Sequence, residues 1–357
     1  MNGVVKKAVV LTAGMGLRSL PATKAVPKAM LAVLDKPAVQ WVCEEAAQSG
    51  AREILLVVSP DGAVQKHFSK DEALERTLAV QNRLNELAAV SALARLNVEF
   101  AVQQNAGGSG EALLCARDFV GDKPFFLLNC DDLFLGGELP ACAQLSESYA
   151  VTGMSTVGAI KRNSGLDAYG VLRLKPREDG EKELLEIVEK PRDNPPSQFI
   201  AAGRYVFNPT VFEALDKTQR FGRELRLSDA IALLCRARAV CAREIKAMRF
   251  DVGSRAGLAA ANAAYAMRFD KERFLNELAE AGLDAAFFCK IVVRSALPRA
   301  FRLAAFKGGA FDSFDKSFFR ICRCKRNCKN AFLLLQDVFG YFFISCKRCR
   351  IVLQFVC

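Results

Sequence analysis

Several familiar devices are missing from this chain of 357 residues. There is one histidine, His67, read as structural, so no histidine is on hand as a general base. No apolar stretch is long enough to cross a bilayer; the longest mixed candidate, Ala331 to Ile344, is interrupted by Gln336, Asp337 and Gly340. The residues from Met1 to Leu11 carry two lysines and a short apolar run, without the apolar length or the small-residue cleavage site of a signal peptide. A cytoplasmic location with no membrane partner is therefore expected. Outside the last 72 residues the cysteines stand singly, at 43, 115, 130, 142, 235 and 241, which suits reduced, buried thiols better than disulfides or a metal cluster. No internal repeat is visible.

What is present is enough to fold. With 51% hydrophobic and 25% charged residues, the chain can bury a sizeable core and is neither disordered nor a disulfide-stapled miniature. Its net charge of +11 invites a nucleic-acid reading, but residues 286–357 hold 14 of the 50 Lys and Arg against 3 of the 39 Asp and Glu, which accounts for the whole surplus. The body, residues 1–285, is neutral, so no nucleic-acid partner is expected for it. The same tail concentrates 7 of the 13 cysteines and 13 of the 26 phenylalanines.

Strand-length apolar runs alternate with helical patterns at the start: Ala8–Thr12, then a helix from Pro37 to Gln48, a strand Glu53–Val58, and a long amphipathic stretch near Lys70–Leu96. Strands at Asn97–Gln103 and Pro124–Asn129 follow, parted by a helical segment Gly110–Phe119, giving a parallel α/β opening. From Gly153 to Phe207 the strands Met154–Ile160, Gly170–Lys175, Leu184–Lys190 and Ala201–Phe207 are joined by polar or proline-rich turns, which predicts a more antiparallel second half. Helices at Pro209–Leu215 and Leu227–Arg238, a strand Val240–Ala247 and a terminal helix near Ser254–Leu283 complete the body.

The chemistry concentrates at strand ends. Directly after the first strand comes Ala13-Gly14-Met15-Gly16-Leu17-Arg18, continued to Lys28. Glycines let backbone N–H groups approach an anion, and Arg18 and Lys28 can neutralise the same phosphate chain. The loop lacks the Gly-Lys-Ser/Thr of a Walker A motif and, with Ser19, the third glycine of the dinucleotide fingerprint. The Gly-x-Gly alone is equally compatible with a tight turn. Asp131 and Asp132 follow the strand ending at Asn129, and Asp251 closes the last strand; such carboxylates serve as Mg²⁺ ligands beside phosphate, or as turn residues and helix caps. Glu189-Lys190-Pro191 ends another strand, where alternation puts Glu189 and Lys190 on opposite faces unless the backbone twists. The pair reads either as a sugar-hydroxyl acceptor with a phosphate partner or as an exposed ion pair.

The loop Gly14–Lys28, the strand leading to Asp131, Tyr169-Gly170-Val171, Glu189-Lys190-Pro191, Gly203-Arg204-Tyr205, Glu224 with Leu227-Ser228-Asp229-Ala230, and Phe250-Asp251-Val252-Gly253 occur in an order and spacing that resemble the bacterial UTP-glucose-1-phosphate uridylyltransferases of the sugar nucleotidyltransferase superfamily. The resemblance covers about residues 5–283, and the insertion near Lys70–Leu96 behind His67-Phe68 resembles this family more than the shorter thymidylyltransferases. It implies a Rossmann-like α/β nucleotidyltransferase domain with a mixed, mostly parallel central sheet flanked by helices. It further implies a homo-oligomer that uses Mg²⁺ to make UDP-glucose and pyrophosphate from UTP and glucose 1-phosphate. Carried over by position, Ala13, Gly14, Gly16, Gln103 and Gly108 would hold the nucleotide, Arg18, Lys28 and Lys190 the reacting phosphates, Gly170 and Glu189 the sugar, and Asp131 with Asp251 the metal ion.

The chain departs from the family at Leu17, where a threonine is usual, at Ala29 and Ala32 in place of glutamate and proline, and at Ser109 and Glu111 in place of leucine and histidine. These changes leave open a different nucleotide or sugar phosphate on the same scaffold, or a silent sugar-nucleotide-binding paralogue. The tail 286–357 resembles nothing in the family; Cys322, Cys324, Cys328, Cys346 and Cys349 could chelate zinc, its Phe and Arg could meet an acidic surface, or it could be sequence translated past a frameshift, non-native and disordered.

Overall fold

The computed structural model describes residues 5–283 and three short strands beyond them. The chain divides into two compact units, Met1–Asn262 and Ala263–Cys357.

The first unit is built on nine strands: β1 (Lys7–Leu11), β2 (Glu53–Val58), β3 (Val98–Val102), β4 (Phe125–Asn129), β5 (Ser155–Lys161), β6 (Gly170–Pro176), β7 (Lys182–Glu189), β8 (Phe199–Phe207) and β9 (Val240–Glu244). They form one sheet in the order β3-β2-β1-β4-β8-β5-β9-β7-β6. β1 through β4 pair only in parallel with one another, and β1, β2 and β4 read as near-continuous apolar runs because both faces are covered. Beyond β4 the character changes. β8 runs antiparallel to β4 and β5, and β7 antiparallel to β9 and β6; β5 with β9 is the one parallel pair there. The sheet is mixed, as expected, but its mostly parallel character belongs to the first half alone, since the later strands are linked largely by turns that reverse direction. β6 also pairs with the start of β8, so this half curls back on itself.

The helix Ala38–Gln48 buries Val39, Val42, Cys43 and Ala46, the three-and-four spacing of an amphipathic helix on a sheet. The helices Thr210–Lys217 and Leu227–Arg236 cover the sheet with Val211, Phe212, Leu215, Ile231 and Leu234, which join Phe125, Leu127 and Phe207 in one core. The amphipathic stretch expected at Lys70–Leu96 is not one helix. It breaks into Glu72–Val80, Leu84–Ser91 and a 3₁₀ turn Ala92–Leu96, because Asn82 takes a left-handed conformation with φ 55°. The single helix expected near Ser254–Leu283 is likewise two, Arg255–Phe269 and Lys271–Glu280, parted at Asp270. Two short strands beside the site, Asp132–Leu135 and Met248–Asp251, pair antiparallel with Asp251 opposite Asp132.

In the second unit, Phe332–Leu335, Tyr341–Ile344 and Val352–Phe355 pair as a three-stranded antiparallel sheet. No strand period was legible there, because these are short and largely apolar runs rather than alternating ones. The proposed zinc cysteines lie outside the described residues.

Candidate active site

The loop after β1 is held open at its base and tied at its far end. Gly14 lies under the Lys28 side chain, and a Cβ there would stand 2.8 Å from Lys28 Cε, so only glycine leaves that lysine its course. Gly16 sits at φ 66° and its carbonyl accepts from the Thr23 hydroxyl at 2.8 Å. The Ser19 hydroxyl donates to the Gly253 carbonyl at 2.9 Å, which fastens the loop to the segment that follows Asp251.

Four charged groups meet where these segments join. Arg18 donates in a bidentate fork to Asp251, Nη1 to Oδ2 at 2.9 Å and Nη2 to Oδ1 at 3.0 Å, and its Nη2 also lies 3.7 Å from Asp131 Oδ2. Lys28 Nζ donates to Asp131 Oδ2 at 2.9 Å. A Cβ on Gly253 would come within 2.6 Å of Asp131 Oδ2, 2.8 Å of Arg18 Nη2 and 3.2 Å of Asp251 Oδ1, so both carboxylates converge on one point. Burial opposes the charge on Asp131, but Lys28 and Arg18 outweigh it and hold the carboxyl below its ordinary range. Burial likewise opposes the charge on Lys28, and Asp131 more than compensates, raising the ammonium's pKa. Asp132 goes the other way: burial, with Asp131 and Asp251 nearby, raises it in spite of its ion pair with Arg249. Next to Asp131 in the chain, buried Cys130 has its thiol pushed up to about 12 by burial.

A cleft of about 610 Å³ opens beside this cluster. Of the residues to which the resemblance gives a role, Arg18, Asp131, Asp251, Gly108, Gly170, Glu189 and Lys190 line it, and Asp132 does so too. Lys28 reaches it through Asp131. Ala13, Gly14, Gly16 and Gln103 are not among its lining residues; Gln103 is buried, its amide 3.5 Å from the Gly108 carbonyl, so it braces Gly108 from behind. Gly108 itself is locked, because a Cβ there would stand 2.6 Å from the Leu225 carbonyl.

The backbone does twist at Glu189-Lys190. Lys190 takes φ 48°, its N–H donates to the Tyr169 carbonyl at 3.0 Å, and its Nζ swings to 3.3 Å from Glu189 Oε1, so both residues face the cleft. Gly170, opposite Glu189 in the β6–β7 register, leaves room for Ile187, whose Cδ1 would stand 3.0 Å from a Cβ there.

Three residues were given no role by the sequence. The Tyr169 hydroxyl donates to Asp251 Oδ2 at 2.9 Å, and the guanidinium groups of Arg162 and Arg249 lie 5.2 and 4.8 Å from its ring centroid. Arg249 pairs with Asp132; its position two before Asp251 on one strand face was the available signal. Arg204, fully buried, stood in the matched Gly203-Arg204-Tyr205, but nothing local in the sequence reported its burial or its partners.

The departures also find places. Leu17 is 64% exposed, Ala29 is fully buried, Glu111 pairs with Arg220 at 2.6 Å, and the Ser109 hydroxyl accepts from the Leu227 N–H at 3.2 Å. Among the described residues, His67 has Gln40 Oε1 at 3.1 Å as its side-chain hydrogen-bond partner, and its pKa is lowered by burial, as suits a structural residue. Cys115 is exposed, against the expectation that all six body cysteines are buried, because it ends the short helix Ser109–Leu114 on its outer side. Among the described residues no helix is long and apolar enough to cross a membrane.

A sheet with a Gly-rich loop and paired carboxylates at its strand ends is the arrangement of nucleotide-handling α/β domains. Residues 7–268 match the nucleotidyl transferase family. A UTP–glucose-1-phosphate uridylyltransferase of Bacillus subtilis is 37% identical over 262 residues, covering 72% of this chain and 88% of that one. A second, from Staphylococcus saprophyticus, is 36% identical over 281 residues, 77% of this chain and 96% of that one. Among solved structures, the UTP-bound UDP-glucose pyrophosphorylase of Acinetobacter baumannii is similar with a TM-score of 0.71 and 30% identity, over 77% of this chain and 99% of that one. A UDP-glucose pyrophosphorylase complexed with UDP-glucose gives 0.67 and 28%, over 74% and 99%. The chain belongs to the nucleotidyl transferase family.

Proposed function

We propose that the chain transfers UMP from UTP to glucose 1-phosphate, forming UDP-glucose and pyrophosphate. The observation that carries this reading is the convergence of Arg18, Lys28, Asp131 and Asp251 at the mouth of a cleft that also contains Gly170, Glu189 and Lys190. The names of the relatives, and the UTP and UDP-glucose bound in two structural neighbours, supply the substrates.

The phosphate of glucose 1-phosphate is already ionised at neutral pH, so no proton has to be removed before attack, in keeping with a site that has no histidine in its cleft. A phosphate oxygen attacks the α-phosphorus of UTP in line, the bond to the β-phosphate oxygen breaks, and pyrophosphate carries that electron pair away. Arg18 and Lys28 neutralise the triphosphate, while Lys190 holds the incoming phosphate and Glu189 accepts from a sugar hydroxyl. Gly108, in the cleft wall, receives the nucleotide with Gln103 bracing it from behind, and the glycine-rich loop from Ala13 to Gly16 gives Lys28 its course and carries the chain to Arg18. Mg²⁺ suits Asp131 and Asp251, because it takes one or two carboxylates and fills its shell with phosphate and water. Asp131 is kept ionised, and both carboxylates face one point. Bound there, the ion would supply further neutralisation of charge at the reacting phosphates. We assign catalysis to residues 1–285, in the cytoplasm and in a homo-oligomer, on the strength of the family resemblance.

The test is pyrophosphate release from the full chain with glucose 1-phosphate and each of UTP, dTTP, CTP, ATP and GTP, with and without Mg²⁺. Mg²⁺-dependent release favouring UTP is expected. Release with another nucleotide reassigns the base, and none from a folded chain that binds UDP-glucose makes it a silent binder.

A further inference from the structure

Arg204 is fully buried, which is unusual for arginine and unfavourable unless every donor is matched. It follows Gly203, at φ 66°, where the register of β8 against β5 jumps between Ala201 and Tyr205. Such a bulge re-aims a side chain. Only glycine fits before it, since a Cβ at 203 would lie 2.0 Å from Asp132 Oδ2. The guanidinium spends all five of its N–H donors. Nε donates to Glu45 Oε1 at 3.0 Å and Nη2 to Glu45 Oε2 at 2.8 Å, anchoring it to the helix Ala38–Gln48. Nη1 donates to the carbonyls of Asn129 and Gly203 at 3.1 Å each, and Nη2 to the carbonyl of Asp132 at 2.6 Å.

Two of those carbonyls bracket Asp131. We propose that Arg204 is the positioning residue of the turn Asn129–Asp132: anchored on Glu45, it grips the backbone on both sides of Asp131 and so fixes where that carboxylate is presented to a divalent cation. This rests on the reading of Asp131 as a metal ligand given above. An ion pair this deep would be replaced by apolar residues at little or no loss if stability were its only purpose. Its geometry suits aim instead, because the planar fork reaches three carbonyls, two of them in the turn, and a carboxylate at once, as a lysine cannot.

The experiment measures Mn²⁺ binding to the full chain in the presence of UTP by electron paramagnetic resonance, together with kcat, the KM for glucose 1-phosphate and the melting temperature. Arg204→Lys keeps the charge that Glu45 needs but cannot span the turn; Glu45→Gln keeps Arg204 and loosens its anchor. Outer partners of metal ligands are typically worth tenfold to a hundredfold in affinity or activity. Mn²⁺ affinity and kcat are therefore expected to fall by roughly that range in Arg204→Lys and by less in Glu45→Gln, with the KM for glucose 1-phosphate within about twofold of the parent. Unchanged Mn²⁺ affinity in folded variants would overturn the proposal, and Glu45→Gln decides alone if Arg204→Lys does not fold. A parent chain that binds Mn²⁺ with UTP yet releases no pyrophosphate overturns the proposed reaction instead, while the Mn²⁺ comparison still judges Arg204.

Discussion

The two ends of the cleft are built on different physical means. Around Asp131 and Asp251, position is set by charge: two cations and two carboxylates close on each other at 2.9 to 3.7 Å, with Lys28 and both carboxylates largely out of solvent. Around Glu189 and Lys190, position is set by the backbone: one ion pair at 3.3 Å, a lysine 63% exposed, and a left-handed residue held by a single N–H to Tyr169. Substitution at the first end should therefore disturb fold and chemistry together, whereas at the second the two can be separated.

The largest effect is expected at the charged end. Asp131→Asn should lower turnover by roughly 10²- to 10³-fold, the scale of losing one preorganised electrostatic contact, and should lower the melting temperature as well because Lys28 is left without its partner. Parent-like turnover would refute the role of Asp131. Lys190→Gly should break the parallel between the ends. It removes a phosphate contact worth about 1.5–3 kcal/mol and so costs roughly 10- to 100-fold in kcat/KM for glucose 1-phosphate. It also suits the left-handed backbone, so stability should rise by about 1 kcal/mol. A loss of both would show that Lys190 braces the turn rather than the substrate.

Melting temperature against pH sharpens the same contrast. Asp131 is held below its ordinary pKa, so its contribution is present above about pH 4 and is lost as pH falls through the folded value; Lys28 is raised, so its contribution is present below about pH 10 and is lost as pH rises through the folded value. Asp132 has the opposite sign, a raised carboxyl whose cost at neutrality is relieved on acidification. Asp131→Asn should flatten both the acid and the alkaline limb, while Lys190→Gly should leave both as they are. The smallest effect is expected for His67→Gln, less than about 1 kcal/mol in stability and no change in the pH profile of turnover.

The parallel half of the sheet was legible because strands buried on both faces write themselves as apolar runs, and the strand end at Asp131 came with it; Asp251, on a short separate strand, was legible as part of Phe250-Asp251-Val252-Gly253. The turn at Lys190 was half legible: alternation exposed the conflict, and the left-handed φ resolved it. The break at Asn82 was not, because helix periodicity continues through a residue whose left-handed conformation is chosen by its surroundings. Tyr169 and Arg204 were legible as members of matched motifs but not in their roles. Their partners lie 82 and 159 residues away, at Asp251 and Glu45, and no local pattern reports so distant a bond.

The closed set of Arg18, Lys28, Asp131 and Asp251 sums to no charge. In a body that is also neutral by sequence, such a set casts little field beyond the Debye length of about 8 Å at physiological salt. A polyanionic nucleotide is then captured by exchange at close range rather than steered from afar. As far as the neutral body sets it, the association rate should depend only weakly on ionic strength, and a lone anion that brings no cation of its own finds the two basic side chains already engaged.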